Sequence, residues 1–148
     1  MKAITLWQPW ASLIVTGAKK IETRSWNTNV RGRIAIHAAQ KKDNYILSLI
    51  NSPEIQVGLK VYNLYRKGMG DGHIWAKDII STFGCVLGTV EITDCVPVEK
   101  IFDNLSVQEH LFGNYGSDRF AWILQNPVMF DVPIPAKGAQ GFWNWDNN

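Results

Sequence analysis

Apolar residues recur along this chain in two periods, and the points where one gives way to the other mark its elements. Ala3-Ile4-Thr5-Leu6-Trp7 has the character of a short strand. Directly after it, Trp10, Leu13 and Ile14 fall on one helical face. Pro9 suits the first turn and Gly17 the stop. Lys20 to Trp26 returns to period two, which assigns Lys20, Glu22, Arg24 and Trp26 to one face and Ile21, Thr23 and Ser25 to the other. Arg33 to Ala38 is another strand. Asp43 to Ile50 is helical, and a second helix starts at Ser52-Pro53-Glu54, with Ser as cap, and runs to about Lys67. Gly68-Met69-Gly70-Asp71-Gly72 predicts a mobile loop that could serve as a lid. Strands dominate the remainder, at Gly84 to Asp94, about Ala121 to Val132, and Gly141 to Asp146. Between them, Ser106 with Glu109 three residues on predicts a capping box on a short helix ending at Phe112. In the Gly84–Asp94 strand, alternation puts Val86, Gly88, Val90 and Ile92 on an apolar core face, and Leu87, Thr89, Glu91 and Thr93 on the other. There is no internal repeat and no linker. The pattern predicts one α+β domain over residues 1–148, a small barrel with flanking helices.

Composition narrows this little. Of 148 residues, 46% are hydrophobic and 19% charged, which suits a packed domain and excludes intrinsic disorder. No apolar run approaches the roughly 18 residues of a membrane span. The opening Met1 to Trp7 is followed at once by Gln8-Pro9, so it lacks a signal-peptide core. The expectation is a cytoplasmic protein with no membrane partner. Cys85 and Cys95 are read as reduced core thiols; a disulfide is possible but not required. His73 and His110 have no second ligand at metal spacing, and neither a zinc cluster nor a nucleotide-cofactor motif is present, so no metal or cofactor is expected.

Charge changes the picture more. Residues 1–42 carry eight basic side chains against one acid, Glu22, a balance of +7; the rest carries seven bases and twelve acids, or −5. Three of the seven tryptophans, Trp7, Trp10 and Trp26, lie in this basic stretch. Indole faces stack bases, and cations hold phosphate. Trp122, in Phe120-Ala121-Trp122-Ile123-Leu124, belongs to the core instead, and Trp143 and Trp145 alternate as in a terminal strand.

The densest chemistry lies in Gly17-Ala18-Lys19-Lys20-Ile21-Glu22-Thr23-Arg24-Ser25-Trp26. Glu22 and Arg24 project from one strand face, and a Glu between cations is expected to stay ionised. Such a set can clamp a phosphate, read a base edge or donate a proton beside a carboxylate. Trp7-Gln8-Pro9-Trp10 can wall the same pocket, and Arg33 and His37 lie on a strand within the same basic region. Glu91 is a carboxylate at the centre of a strand, able to act as a general base if it faces Lys19.

The segment Trp7 to Ile14 together with Gly17, Lys19, Glu22 and Arg24 resembles the activating signal cointegrator homology (ASCH) domain, whose hallmark is Gly-x-Lys-x-x-Glu-x-Arg. Gln8-Pro9-Trp10-Ala11-Ser12, Arg31 to Ala39 and Gly141-Phe142-Trp143 resemble the branch that includes the C-terminal domain of a eukaryotic coactivator. The resemblance implies a PUA-like β-barrel with a cleft beside the first helix that binds RNA or other single-stranded nucleic acid. Trp7, Gln8, Trp10, Lys20, Arg24, Trp26, Arg33 and His37 are then the binding candidates. Some small bacterial members hydrolyse acetylcytidine with a Lys, a Thr on the next strand and a Glu on a later one. Lys19 and Glu91 match the first and last, while Glu22 stands at the Thr position. Lys19, Glu22 and Glu91 are therefore the catalytic candidates of a hydrolase alternative acting on a modified nucleoside or RNA. A ribonuclease-like member is metal-assisted, and no residues here specify that site. A third reading buries Trp7 and Trp10 against a protein partner.

Overall fold

The computed structural model describes residues 1–67 and 79–146, with side chains for 1–60 and 79–146. The glycine-rich segment 68–72 and His73 lie outside the described residues. Six strands, β1 (Lys2–Leu6), β2 (Ile21–Arg24), β3 (Gly32–Ala38), β4 (Cys85–Pro97), β5 (Phe120–Pro135) and β6 (Phe142–Asn144), form one sheet in the order β2-β5-β4-β3-β1-β6. Only β1 and β3 run parallel, with Ala3 opposite Ala35. Among the described residues, the helices α1 (Trp10–Thr16), α2 (Asn44–Ile50), α3 (Pro53–Lys67) and α4 (Val107–Phe112) flank the sheet. No described helix is long and apolar enough to cross a membrane.

The sheet is a curled half-barrel. Its curvature comes from β4 and β5, whose pairing slips between Val86 and Gly88, Thr89 and Glu91, and Ile92 and Asp94. Each slip leaves extra residues unpaired on one strand and increases the local twist. The edges β2 and β6 are thereby brought towards each other. Trp26, just past β2, meets Phe142 of β6 edge-on at 5.7 Å and Trp122 at 4.8 Å, and Phe142 stacks on Trp122 at 5.2 Å. Arg24 Nη2 crosses the remaining gap to the Thr5 carbonyl of β1, at 3.3 Å.

These slips also correct the predicted faces of β4. Cys85, Leu87, Val90 and Ile92 share the inner core with Ile4, Ile14, Ile34 and Trp122, whereas Val86 packs on the other face with Ala3, Ala35 and Trp145. The core face thus steps from Leu87 to Val90 across one extra residue. Gly88 sits at this step because a side chain has no room: a Cβ there would collide with the Val128 carbonyl and lie 3.0 Å from Met129 Cα.

Helix α1 plugs the concave side. Ala11, Ile14 and Val15 join the sheet core, while Leu13 joins a second core made with Ile46, Ile50, Ile55, Leu59 and Phe112. Gly17 ends α1 with a left-handed φ of 84°, a conformation that glycine adopts without strain. Both cysteines are free. Only Cys85 is a core thiol; Cys95 is half-buried and its thiol lies 3.2 Å from Asn27 Oδ1.

Candidate nucleic-acid interface

A cleft of about 300 Å³ opens where the sheet fails to close, between Thr5 and Leu6 of β1 and Glu22, Thr23 and Arg24 of β2. Trp7 and Trp10, at the head of α1, wall one side; Gly113, Asn114 and Arg119 wall the other. Of the eight cations of residues 1–42, Lys19 and Arg24 line this hollow, because β1, α1 and β2 are consecutive and the curl folds the first over the last.

Lys19 enters this site through the turn that ends α1, where its N–H donates to the Leu13 carbonyl at 2.9 Å. Its side chain is 2% exposed. Nζ lies 3.4 Å from Glu109 Oε2 and 3.3 Å from the Tyr115 hydroxyl, which itself donates to Glu109 Oε2 at 2.7 Å. Burial pulls the Lys19 pKa down, opposed by the carboxylates of Glu109 and Glu22. Burial and Glu109 push the Tyr115 pKa far up, so Tyr115 remains a neutral donor.

Glu22, 13% exposed, faces Arg24 Nε at 3.1 Å in an ion pair whose N–H is not aligned for a hydrogen bond. The flanking cations do not set the direction of the shift. Loss of water raises the Glu22 pKa despite Arg24, Lys19 and Arg119. Arg119 Nη2 donates to the Thr23 carbonyl at 2.9 Å, while its Nε has no hydrogen-bond partner among the described residues.

Other candidates are placed elsewhere. Gln8 is fully buried, its amide spent on Ser12 and Thr82 at 2.6–3.1 Å, so it is not available to read a base. Lys20 precedes β2, which is shorter than the predicted strand, and lies with Ser106 and Gln108 away from the cleft. Trp26 joins the aromatic seam between the sheet edges. Arg33 is held by Glu91 at 2.7 Å and by Thr89 at 2.9 Å. Glu91 also accepts from Asn126 at 2.8 Å, and Asn126 and Arg33 hold its pKa down. Glu91 and Lys19 thus have separate partners among the described residues.

His37 is 2% exposed, with Nδ1 3.2 Å from Thr5 Oγ1 and Nε2 3.1 Å from the Ala136 carbonyl. A carbonyl only accepts, so Nε2 carries the proton. Thr5 Oγ1, which accepts from Trp143 Nε1 at 3.1 Å, then donates to Nδ1 of a neutral ring. Burial lowers the His37 pKa in keeping with that neutral form. Trp10 Nε1 donates to the Phe112 carbonyl at 2.8 Å, which fixes its ring at the cleft. Trp7 is 45% exposed, with Lys41 Nζ 3.6 Å from its ring centroid.

Sequence spacing does not bring Glu109, Tyr115 and Arg119 to this site, where the structure places them on Lys19 and Thr23. Ser106 does cap α4 by accepting from the Glu109 N–H at 3.1 Å, but the Glu109 carboxylate turns inward to Lys19 instead of completing the box. A buried lysine needs an acid, and that requirement was the available signal. Among the described residues, no group of three or more His, Cys, Asp or Glu could hold a metal ion.

Comparison with known proteins agrees with this architecture. The profile of the ASCH domain matches residues 4–134. The chain is 32% identical over 147 residues to human activating signal cointegrator 1 and 31% identical to the mouse protein, covering 97% of this chain. It spans only 22% of the length of those relatives. The crystal structure of ASCH from Zymomonas mobilis superposes with a TM-score of 0.53 at 17% identity, over 99% of this chain and 87% of that one. A point mutant of the same bacterial protein gives the same score over 90% of its chain. With its profile match over most of its length and its likeness to the cointegrator sequences, the chain belongs to the ASCH domain family.

Proposed function

We propose that the cleft binds one unstacked nucleotide of a single-stranded RNA or related nucleic acid. One observation carries this reading: two indole rings, Trp7 and Trp10, and two guanidinium groups, Arg24 and Arg119, line the same hollow. Single-stranded nucleic acid is recognised by this combination, with aromatic faces for the base and cations for the phosphate. Arg24 and Arg119 supply the phosphate donors. Lys19 is already matched by Glu109, so it shapes and polarises the floor of the cleft rather than adding a free charge. Glu22, whose pKa is raised by burial, presents a carboxyl group to a base edge. The hydrolase alternative has no support from the geometry, since Lys19 and Glu91 are engaged separately.

The test is anisotropy of a labelled single-stranded oligoribonucleotide across a range of salt. Arg24→Ala and Arg119→Ala are each expected to weaken binding roughly tenfold, about what one charge-assisted hydrogen bond supplies. Each should also reduce the salt slope by about 0.7. Arg33→Ala should stay within about twofold, because its guanidinium is committed to Glu91. Salt-independent affinity, or equal losses from all three variants, would contradict the reading.

A further inference from the structure

We propose that the ligand is a strand of at least two nucleotides, the second seated in a neighbouring hollow floored by His37 and edged by Lys137 and Gln140. This rests on the nucleotide reading of the first cleft. The second hollow, of about 550 Å³, shares Thr5, Trp7 and Arg24 with the first, so the two adjoin. Arg24 stands at the junction, where the phosphate linking two nucleotides would fall.

The lining of the second hollow suits a nucleotide. It contains two cations, Arg24 and Lys137, two amides, Gln40 and Gln140, and no acidic residue. Cations attract the backbone, and amides offer both donors and acceptors to a base edge. The floor is fixed in advance. The chain from Trp143 Nε1 through Thr5 Oγ1 and His37 to the Ala136 carbonyl ties β6, β1 and β3 to the start of segment 136–141. Gly138 packs directly on the His37 ring, and a Cβ there would lie 2.7 Å from Thr5 Oγ1. Neutral His37, with both ring nitrogens committed, is a positioning residue: it holds the segment that carries Lys137 and Gln140. Both of these are solvent-exposed and available to a ligand.

The experiment is competition against a labelled single-stranded oligoribonucleotide. The competitors are a pool of the common nucleoside 5′-monophosphates and a pool of 5′-phosphorylated dinucleotides. The dinucleotide pool should compete at least about tenfold more strongly, within the range that one further stacked base supplies. Lys137→Ala, a surface change, should abolish that gain and leave monophosphate competition unchanged. It should also lower the salt slope of oligonucleotide binding by about 0.7. Gln140→Ala should reduce the gain without altering the slope. A gain below about twofold, or a Lys137→Ala loss equal for both pools, would overturn the second seat while leaving the first intact. If neither pool competes, the nucleotide reading of the first cleft falls as well.

Discussion

A Glu109→Ala variant is expected to lose about 3–5 kcal/mol of stability, the cost of removing one partner from a buried ion pair. Three groups depend on this carboxylate: the Lys19 ammonium, the Tyr115 hydroxyl and the Lys20 backbone N–H. With side chains only 2% and 9% exposed, neither Lys19 nor Glu109 can turn to water without moving the loop beneath the cleft. The melting temperature should fall by roughly 6–20 °C at 2–4 °C per kcal/mol for a domain of this size. Replacing the whole cluster (Lys19→Met, Glu109→Leu and Tyr115→Phe together) should recover most of that loss, because it leaves no unpaired charge or hydroxyl. Urea unfolding of the single and triple variants separates the two effects. A Glu109→Ala protein within about 1 kcal/mol of wild type would mean that Lys19 finds another counter-charge or stays neutral.

Gly88→Ala should be about as damaging, near 3 kcal/mol or more, for a different reason. The added methyl meets backbone, the Val128 carbonyl and Met129 Cα, rather than a side chain that could rotate away. Relief requires β4 and β5 to separate at the slip that curls the sheet, so the damage should propagate to the edges. The seam of Trp26, Trp122 and Phe142 should loosen with it, and near-ultraviolet dichroism should report that alongside the fall in midpoint. A folded Gly88→Ala variant with an unchanged aromatic signal would show that the pairing has slack there.

Local signals carried much of this fold. The turn at Gly17, the cap at Ser106, and the parity of Glu22 and Arg24 on β2 follow from adjacent residues, and each has its counterpart in the structure. The site was legible as far as it is local: Trp7, Trp10, Lys19, Glu22 and Arg24 come from consecutive elements. Its far wall was not. Arg119 reaches the cleft, and Glu109 and Tyr115 reach Lys19, only because the chain returns some 90 residues later, and no periodicity encodes that meeting. The faces of β4 failed at a bulge, where strict alternation stops being informative. For Gln8, an amide beside two indoles suggests a ligand contact, whereas its partners in the structure are Ser12, one helical turn on, and the distant Thr82. Neighbouring cations alone would lower the Glu22 pKa; burial, which a sequence does not display, reverses the direction of the shift.

The location of a bound nucleotide tests the central claim most directly. Titration of ¹⁵N-labelled protein with a short single-stranded oligoribonucleotide should shift the indole N–H signals of Trp7 and Trp10 and the side-chain signals of Arg24 and Arg119. The indoles of Trp122 and Trp145, buried in the two faces of the sheet, should stay in place. Shifts confined to the apolar groove of Val57, Val107 and Leu111, or none at all at saturating RNA, would contradict the account.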